Sequence, residues 1–158
     1  MKCVLVMGMS GVGKSTVARS LTELGFKAVD VDYDGYCDVD EQGSYRWNVD
    51  RMQELLTTED TEVLFVVGSC ERQVLFYPQF DHIVLLSAPV DVVLERIASR
   101  TGNPFGKTPG ERAKVLADIE VVEPKMRRAA THEIDTRRPV AEVVDELVSL
   151  VQLPARSS

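Results

Sequence analysis

Glycines at 8, 11 and 13, a lysine at 14 and hydroxyls at 15 and 16 fall within the run Gly8-Met9-Ser10-Gly11-Val12-Gly13-Lys14-Ser15-Thr16. This is the spacing G-x-x-x-x-G-K-[ST], and its chemistry is that of a phosphate cradle. Residues without bulky side chains let the backbone N–H groups of Gly8, Ser10, Gly11, Val12 and Gly13 turn toward an anion. The helix that follows adds the positive end of its dipole. Lys14 then reaches the β and γ phosphates, the Ser15 hydroxyl serves Mg2+, and Thr16 extends the polar opening of the helix. A second cluster, Asp30-Val31-Asp32-Tyr33-Asp34, supplies carboxylates. Asp30 suits the shell of a metal ion, and Asp32, with Asp34 beside it, suits binding or deprotonating an acceptor hydroxyl. A third group, Tyr36, Tyr45, Arg46, Trp47 and Arg51 with Glu71-Arg72-Gln73, combines rings that stack on a base or sugar face with guanidinium groups that hold an anion. Arg46, Trp47 and Arg72 are the substrate-binding candidates here, with packing onto the domain as the alternative role for Trp47 and Tyr45.

These residues need elements to position them. The apolar run from Lys2 to Met7 predicts a buried strand leading into the glycine-rich loop. Val17, Ala18, Leu21 and Leu24 predict a helix over 14–24, closed by Gly25. Phe26 to Val31 predicts a second strand, so the carboxylates lie at its end, where open α/β sheets bind ligands. Residues 32–48 read as an irregular segment, followed by a helix over 49–57 and further strands over 62–67, 83–87 and 133–135. Helices are expected over 90–100 and 140–151. Thr108-Pro109-Gly110-Glu111 reads as a capping box with proline at the first helical position. It opens a helix toward Ala130 that Pro124 kinks. Strands alternating with helices predict a parallel α/β sheet covered on both faces, in one domain over 1–158.

Composition narrows the function. With 18 basic and 25 acidic residues the net charge is −7, which argues against sequence-independent nucleic-acid binding but leaves room for a local anion site. Cysteines 3, 37 and 70 lack disulfide or metal spacing and predict free thiols in a cytoplasmic protein. The N-terminal apolar run is too short for a signal peptide or membrane span. His82 and His132 stand apart from any ligand pattern, so no metal besides Mg2+ is expected. A phosphate loop serves switch GTPases, remodelling ATPases and small kinases. No Asn-Lys-x-Asp guanine-reading run is present, and the third strand ends at Gly68-Ser69 without a carboxylate for Mg2+. The kinase option is the one that the Asp30 to Asp34 cluster supports.

Over nearly its whole length the chain resembles the P-loop nucleoside monophosphate kinase superfamily, in its small adenylate kinase, shikimate kinase and gluconate kinase branches. The likeness rests on the phosphate loop, on Asp30-Val31-Asp32, on Leu94-x-Arg96-x-x-x-Arg100 before a Pro/Gly-rich stretch, and on Asp135-Thr136-Arg137-Arg138-Pro139-Val140-Ala141-Glu142-Val143. It implies a three-layer sandwich with a mostly five-stranded parallel sheet, an acceptor segment over about 33–60 and a short lid over about 100–112. It also implies ATP with Mg2+ as cofactors, the segment Thr136 to Pro139 beside the adenine with Arg137 and Pro139 as its candidates, and lid cations drawn from Arg100, Lys107, Arg127 and Arg128, with Arg100 and Lys107 foremost. Several positions depart from the family. Asn103 precedes Pro104 where shikimate-type kinases carry arginine, Val122 and Met126 replace an acceptor-binding arginine and a tyrosine, and Gly68-Ser69-Cys70-Glu71 replaces a triple-glycine turn. The expectation is therefore an ATP-dependent phosphotransferase whose acceptor is a nucleoside, a nucleotide or a sugar-like metabolite, in a monomer or homodimer. Dephospho-coenzyme A is a weaker candidate acceptor. The alternative is a nucleotide-binding sensor or accessory protein with little turnover.

Overall fold

The structure is a computed structural model. It describes the chain except residues 10, 32–33, 40, 43–44, 70, 101–106 and 153–158 and the side chains of residues 45, 71 and 72. Ser10, Asp32 and the Arg72 side chain therefore lie outside the described residues, as does the centre of the expected lid. Five strands form one parallel sheet: β1 (Lys2–Gly8), β2 (Lys27–Asp30), β5 (Val63–Val67), β6 (His82–Ser87) and β7 (His132–Asp135), in the order β2-β5-β1-β6-β7. β1 is central, with Val6 opposite Val67 of β5 and Val84 of β6. Its interior residues Val4, Leu5, Val6 and Met7 are fully buried, as are Leu64 to Val67 and Val84 to Leu86. Continuous apolar runs of this kind suit strands covered on both faces. The helices are α1 (Lys14–Glu23), α2 (Val49–Thr57), α3 (Val90–Ser99), α4 (Pro109–Val121), α5 (Glu123–Ala129) and α6 (Val140–Val151). α1 packs on β2 and α6, and α5 on β1 and β6. This is the helix-flanked parallel sheet that the sequence predicts.

The expected capping box is present: the Glu111 N–H donates to Thr108 Oγ1 at 3.1 Å and the Glu111 carboxylate receives the Thr108 N–H. The helix it opens ends at Val121, and a second begins at Glu123. Pro124 has no N–H to continue the ladder and its ring crowds the carbonyl four residues back, so the expected kink is a break into two helices.

Three elements differ from the sequence reading. Within the segment read as irregular, β3 (Cys37–Val39) and β4 (Tyr45–Trp47) pair antiparallel, Cys37 opposite Trp47 and Val39 opposite Tyr45. Between β5 and β6 a 3-10 helix spans Glu71–Gln79. Trp47 is a correction: its side chain is 0% exposed and packs against Phe76 of the 3-10 helix, ring centroids 6.3 Å apart. An indole in the core has no face to offer a substrate. Strand alternation sends Trp47 inward and the neighbouring Arg46 to the surface. Among the described residues no helix is long and apolar enough to cross a membrane.

Because Trp47 joins the hairpin to the core, Trp47→Ala is expected to lower unfolding stability by about 3–5 kcal/mol, read as a shifted urea midpoint. Wild-type unfolding should red-shift the emission of this single tryptophan. At the opposite, N-terminal edge of the sheet, the His82 and His132 rings meet edge-on at 5.5 Å. Burial first and His132 second hold His82 below its ordinary 6.5, with Lys2 adding to them, while Asp81 and the Leu150 carbonyl pull the other way. A depressed pKa means that the folded state takes up fewer protons than the unfolded chain. The associated stability is complete above about pH 6.5 and is lost as pH falls through the lower folded value. His82→Gln should lose less stability than wild type between pH 7 and 5, compared by denaturant midpoints.

Candidate active site

The phosphate loop leaves β1 at Gly8 and enters α1 at Lys14, and its path explains two of its glycines. A Cβ at Gly8 would lie 2.6 Å from the Leu86 carbonyl oxygen and 2.8 Å from Val12 Cγ2. A Cβ at Gly11 would lie 2.9 Å from Ile97 Cγ1 of α3, on a backbone with φ of 88° that other residues rarely adopt. The loop is thus pressed between β6 and α3, with the Val12 side chain buried beneath it. Lys14 folds over the loop and its Nζ donates to the carbonyls of Gly8 at 2.5 Å and Met9 at 3.3 Å.

Ser15, in the first turn of α1, donates its hydroxyl to Asp30 Oδ2 at 2.8 Å. The pair expected to serve Mg2+ is therefore brought together from two different elements. Asp34 takes another part: its Oδ2 accepts the Asp30 N–H at 2.9 Å, and its own N–H donates to the Asp30 carbonyl at 2.8 Å. It closes a turn after β2 and faces a separate cleft of about 350 Å³ beside Arg51 and Lys27, away from the main cavity. Its Oδ2 is thereby engaged in the turn, and Asp34 lines that cleft and not the main cavity. Arg46 lines neither cavity.

The main cavity, about 1250 Å³, opens over the phosphate loop. Its lining includes Gly8, Gly11, Val12, Gly13, Lys14, Ser15 and Thr16, all expected, together with Arg96 and Arg100 of the α3 segment. The strand order sets its two flanks. On the β6–β7 flank stand Thr136, Arg138, Val140 and Val143. On the β5 flank stand Ser69, Gln73, Val74 and Tyr77, and α4 and α5 add Lys114, Asp118, Val122, Lys125 and Met126. Among the described residues seven basic side chains line the cavity, Lys14, Arg19, Arg96, Arg100, Lys114, Lys125 and Arg138, against Asp118 as the acidic one. An acidic chain has thus gathered its cations at one opening, the arrangement that attracts a polyanion.

Arg96 is committed within the fold. Its guanidinium donates to Thr136 Oγ1 at 2.8 Å, to the Thr136 carbonyl at 2.5 Å and to the Val12 carbonyl at 3.3 Å. One side chain of α3 thereby ties the phosphate loop to the turn after β7. Thr136 is in turn anchored to the Ser87 carbonyl by its N–H at 2.8 Å and its hydroxyl at 3.2 Å.

The remaining expected residues separate. Arg100 lines the cavity, whereas Lys107 does not: its Nζ donates to the Arg100 carbonyl. Arg137 is also outside the lining. It forms a fork with Asp135, Nη2 to Oδ2 at 2.7 Å and Nε to Oδ1 at 3.1 Å, and the guanidinium holds that carboxyl below the usual carboxylate range. Pro139 caps α6 without lining the cavity, so of the expected segment Thr136 to Pro139 it is Thr136 and Arg138 that line it, joined by Val140. Arg127 is held by Glu133 and Glu123, and its guanidinium, followed by the Ser87 hydroxyl, keeps the Glu133 carboxyl below its ordinary value. Sequence reasoning missed Ser69, Val74, Tyr77, Lys114 and Lys125 as lining residues. Val74 and Tyr77 stand on a 3-10 helix that no short-range pattern announces, and Lys114 and Lys125 on the two helices that meet at Val122.

Residues 4–117 match the AAA domain family. No curated protein matches the chain in sequence. Shikimate kinase from Acinetobacter baumannii, in complex with shikimate, has a similar structure, with a TM-score of 0.66 at 20% identity over 96% of this chain and 93% of that one. A gluconokinase from Sinorhizobium meliloti 1021 gives 0.60 at 20% identity over 96% and 91%, and shikimate kinase from Aquifex aeolicus 0.61 at 19% over 95% and 96%. At these identities the likeness is one of fold.

Removing the guanidinium that joins the two loops is expected to cost about 1–3 kcal/mol of stability and to weaken nucleotide binding about tenfold in Arg96→Ala. Arg96→Lys should recover little of either, because an ammonium lacks the planar fork. Denaturant titration and calorimetric nucleotide titration check the two effects.

Proposed function

The chain belongs to the AAA domain family of P-loop proteins, and from this premise we propose that it is an ATP-dependent kinase of a small-molecule acceptor. The observation that carries the reading is that Lys14 and Ser15 line one cation-rich cavity while the Ser15 hydroxyl is bonded to Asp30. At about 1250 Å³ that cavity exceeds the roughly 300–1000 Å³ of a pocket for one drug-sized ligand. It has room for a nucleotide and a second reactant.

In this reading the loop amides and Lys14 hold the triphosphate. Ser15 and Asp30 offer hard oxygen donors that would hold Mg2+, and the ion would supply neutralisation of charge on the β and γ phosphates. The flank formed by Thr136, Arg138 and Val140 receives the base. Residues 33–60 carry the acceptor segment and 100–112 the lid. Asp32 orients the acceptor hydroxyl and takes its proton as the acceptor oxygen bonds to the γ phosphorus. The bond from that phosphorus to the β–γ bridging oxygen breaks, and its electron pair leaves with ADP. Arg100, which reaches the lining, takes precedence over Lys107 as the group that neutralises the transferring phosphoryl. The acceptor is a nucleoside, nucleotide or sugar-like metabolite.

ADP release from Mg-ATP, screened against nucleosides, nucleoside monophosphates, sugar acids and polyols, tests this reading. One acceptor class should stimulate release, and Lys14→Ala should lower the stimulated rate by at least about a hundredfold, the scale of removing one positioned electrostatic group. Undiminished activity in Asp32→Asn would remove Asp32 from its role. Tight ATP binding with no stimulation by any acceptor would favour the sensor reading.

A further inference from the structure

Ser69 stands just beyond β5, after Gly68, and has no place in the phosphate pattern. Its hydroxyl nevertheless closes on the first glycine of that pattern. The Gly8 N–H donates to Ser69 Oγ at 3.1 Å, and the Ser69 hydroxyl donates to the Gly8 carbonyl at 3.0 Å. The same carbonyl receives Lys14 Nζ at 2.5 Å. Two donors with different fates thus converge on one oxygen, which has two lone pairs to offer. Ser69 is fixed by the end of β5, where the Gly68 N–H donates to the Val6 carbonyl at 3.0 Å. Lys14 is the side chain that must swing away to meet a phosphate.

We propose that Ser69 is a positioning residue that releases Lys14 for nucleotide binding by keeping the Gly8 carbonyl hydrogen-bonded after the lysine departs. The inference rests on the nucleotide reading above and adds to it a residue outside the motif. Gly8 is buried, paired with Leu86 of β6 on one edge and with Ser69 on the other. Stripping hydrogen bonds from a buried carbonyl costs more than the bond itself contributes in water. With Ser69 present, moving Lys14 to a triphosphate removes one of these two donors. With alanine there it removes both, so part of the phosphate attraction is spent on freeing the lysine. The lost Gly8 N–H bond, in contrast, affects free and bound protein alike and lowers stability without discriminating between ligands.

The test is calorimetric titration of the full chain with a non-hydrolysable Mg-ATP analogue and with AMP. Ser69→Ala should weaken the triphosphate about threefold to tenfold and leave AMP, which has no β or γ phosphate for Lys14 to reach, within about twofold. Ser69→Thr, which keeps the hydroxyl, should restore the wild-type constant. On a Lys14→Ala background the Ser69→Ala penalty should shrink, since no ammonium remains to be released. Equal weakening of triphosphate and AMP would mark general damage to the loop and overturn the proposal, as would a triphosphate constant unchanged by Ser69→Ala. Failure of the wild-type protein to bind either nucleotide would refute the underlying nucleotide reading as well, a result distinct from wild-type binding that Ser69→Ala leaves untouched.

Discussion

The position of the phosphate loop is set by β1, which is paired with β5 on one edge from Lys2 to Val6 and with β6 on the other from Val4 to Gly8. A central parallel strand has little freedom to slide, because a shift would break two ladders and misplace side chains buried on both faces. Gly8 is therefore delivered to a fixed point. There the Leu86 carbonyl leaves no room for a Cβ, while the Ser69 hydroxyl holds the peptide from the other edge. Everything that approaches an anion at this site takes its bearing from that peptide: Lys14 folds onto its carbonyl, α1 begins six residues later, and Ser15 meets Asp30 from the next strand but one.

Charge is arranged around the same point. The chain as a whole repels anions at long range, with a net charge of −7. Screening confines that repulsion to about 10 Å at moderate ionic strength, so the local gathering of cations dominates for a ligand at the opening. The cations differ in what they are used for. Arg96 spends its guanidinium on three backbone and hydroxyl oxygens, Lys114 is paired with Asp118 and Arg138 with Glu146. Exposed pairs of the latter kind are worth little to stability and exchange readily for a stronger anion. Arg96, with its multiple fixed partners, is framework.

How much of this was legible in the sequence depended on the range of the signal. Buried parallel strands announce themselves as apolar runs, and the glycine spacing at 8, 11 and 13 encodes a local backbone path, so β1, its loop and α1 could be read residue by residue. The Thr108–Glu111 box is equally local. Three-residue strands such as Cys37–Val39 and Tyr45–Trp47 complete barely one alternation, which is too short to rise above an irregular segment. Trp47 illustrates the cost: an aromatic among charged residues satisfies both a stacking role and a packing role, and the choice lies with Phe76, distant in sequence. Likewise Arg137 and Arg138 are indistinguishable as adjacent arginines. Asp135 captures the former and the cavity the latter.

The two flanks of the cavity are built with different degrees of commitment. The β6–β7 flank is tied by Thr136 to the Ser87 carbonyl and by Arg96 to the phosphate loop, so it moves only with the sheet. The β5 flank is carried by a 3-10 helix, whose hydrogen-bond geometry is poorer than that of an α-helix. It is braced by Phe76 against Trp47 and by Gln73, whose Nε2 donates to Tyr77 Oη at 2.7 Å and to Met7 Sδ at 3.2 Å. Its outward residues Val74 and Leu75 stay exposed. A rigid flank suits a ligand common to many proteins of one fold. A flank held by side chains from separate segments can change its lining without disturbing the sheet, and it is on this flank that the chain departs from the triple-glycine turn of shikimate-type kinases. Under the proposed kinase reading, acceptor selectivity belongs to the segment after β5 and to the α4–α5 break. Both can diverge while β1, Gly8 and Lys14 stay as they are.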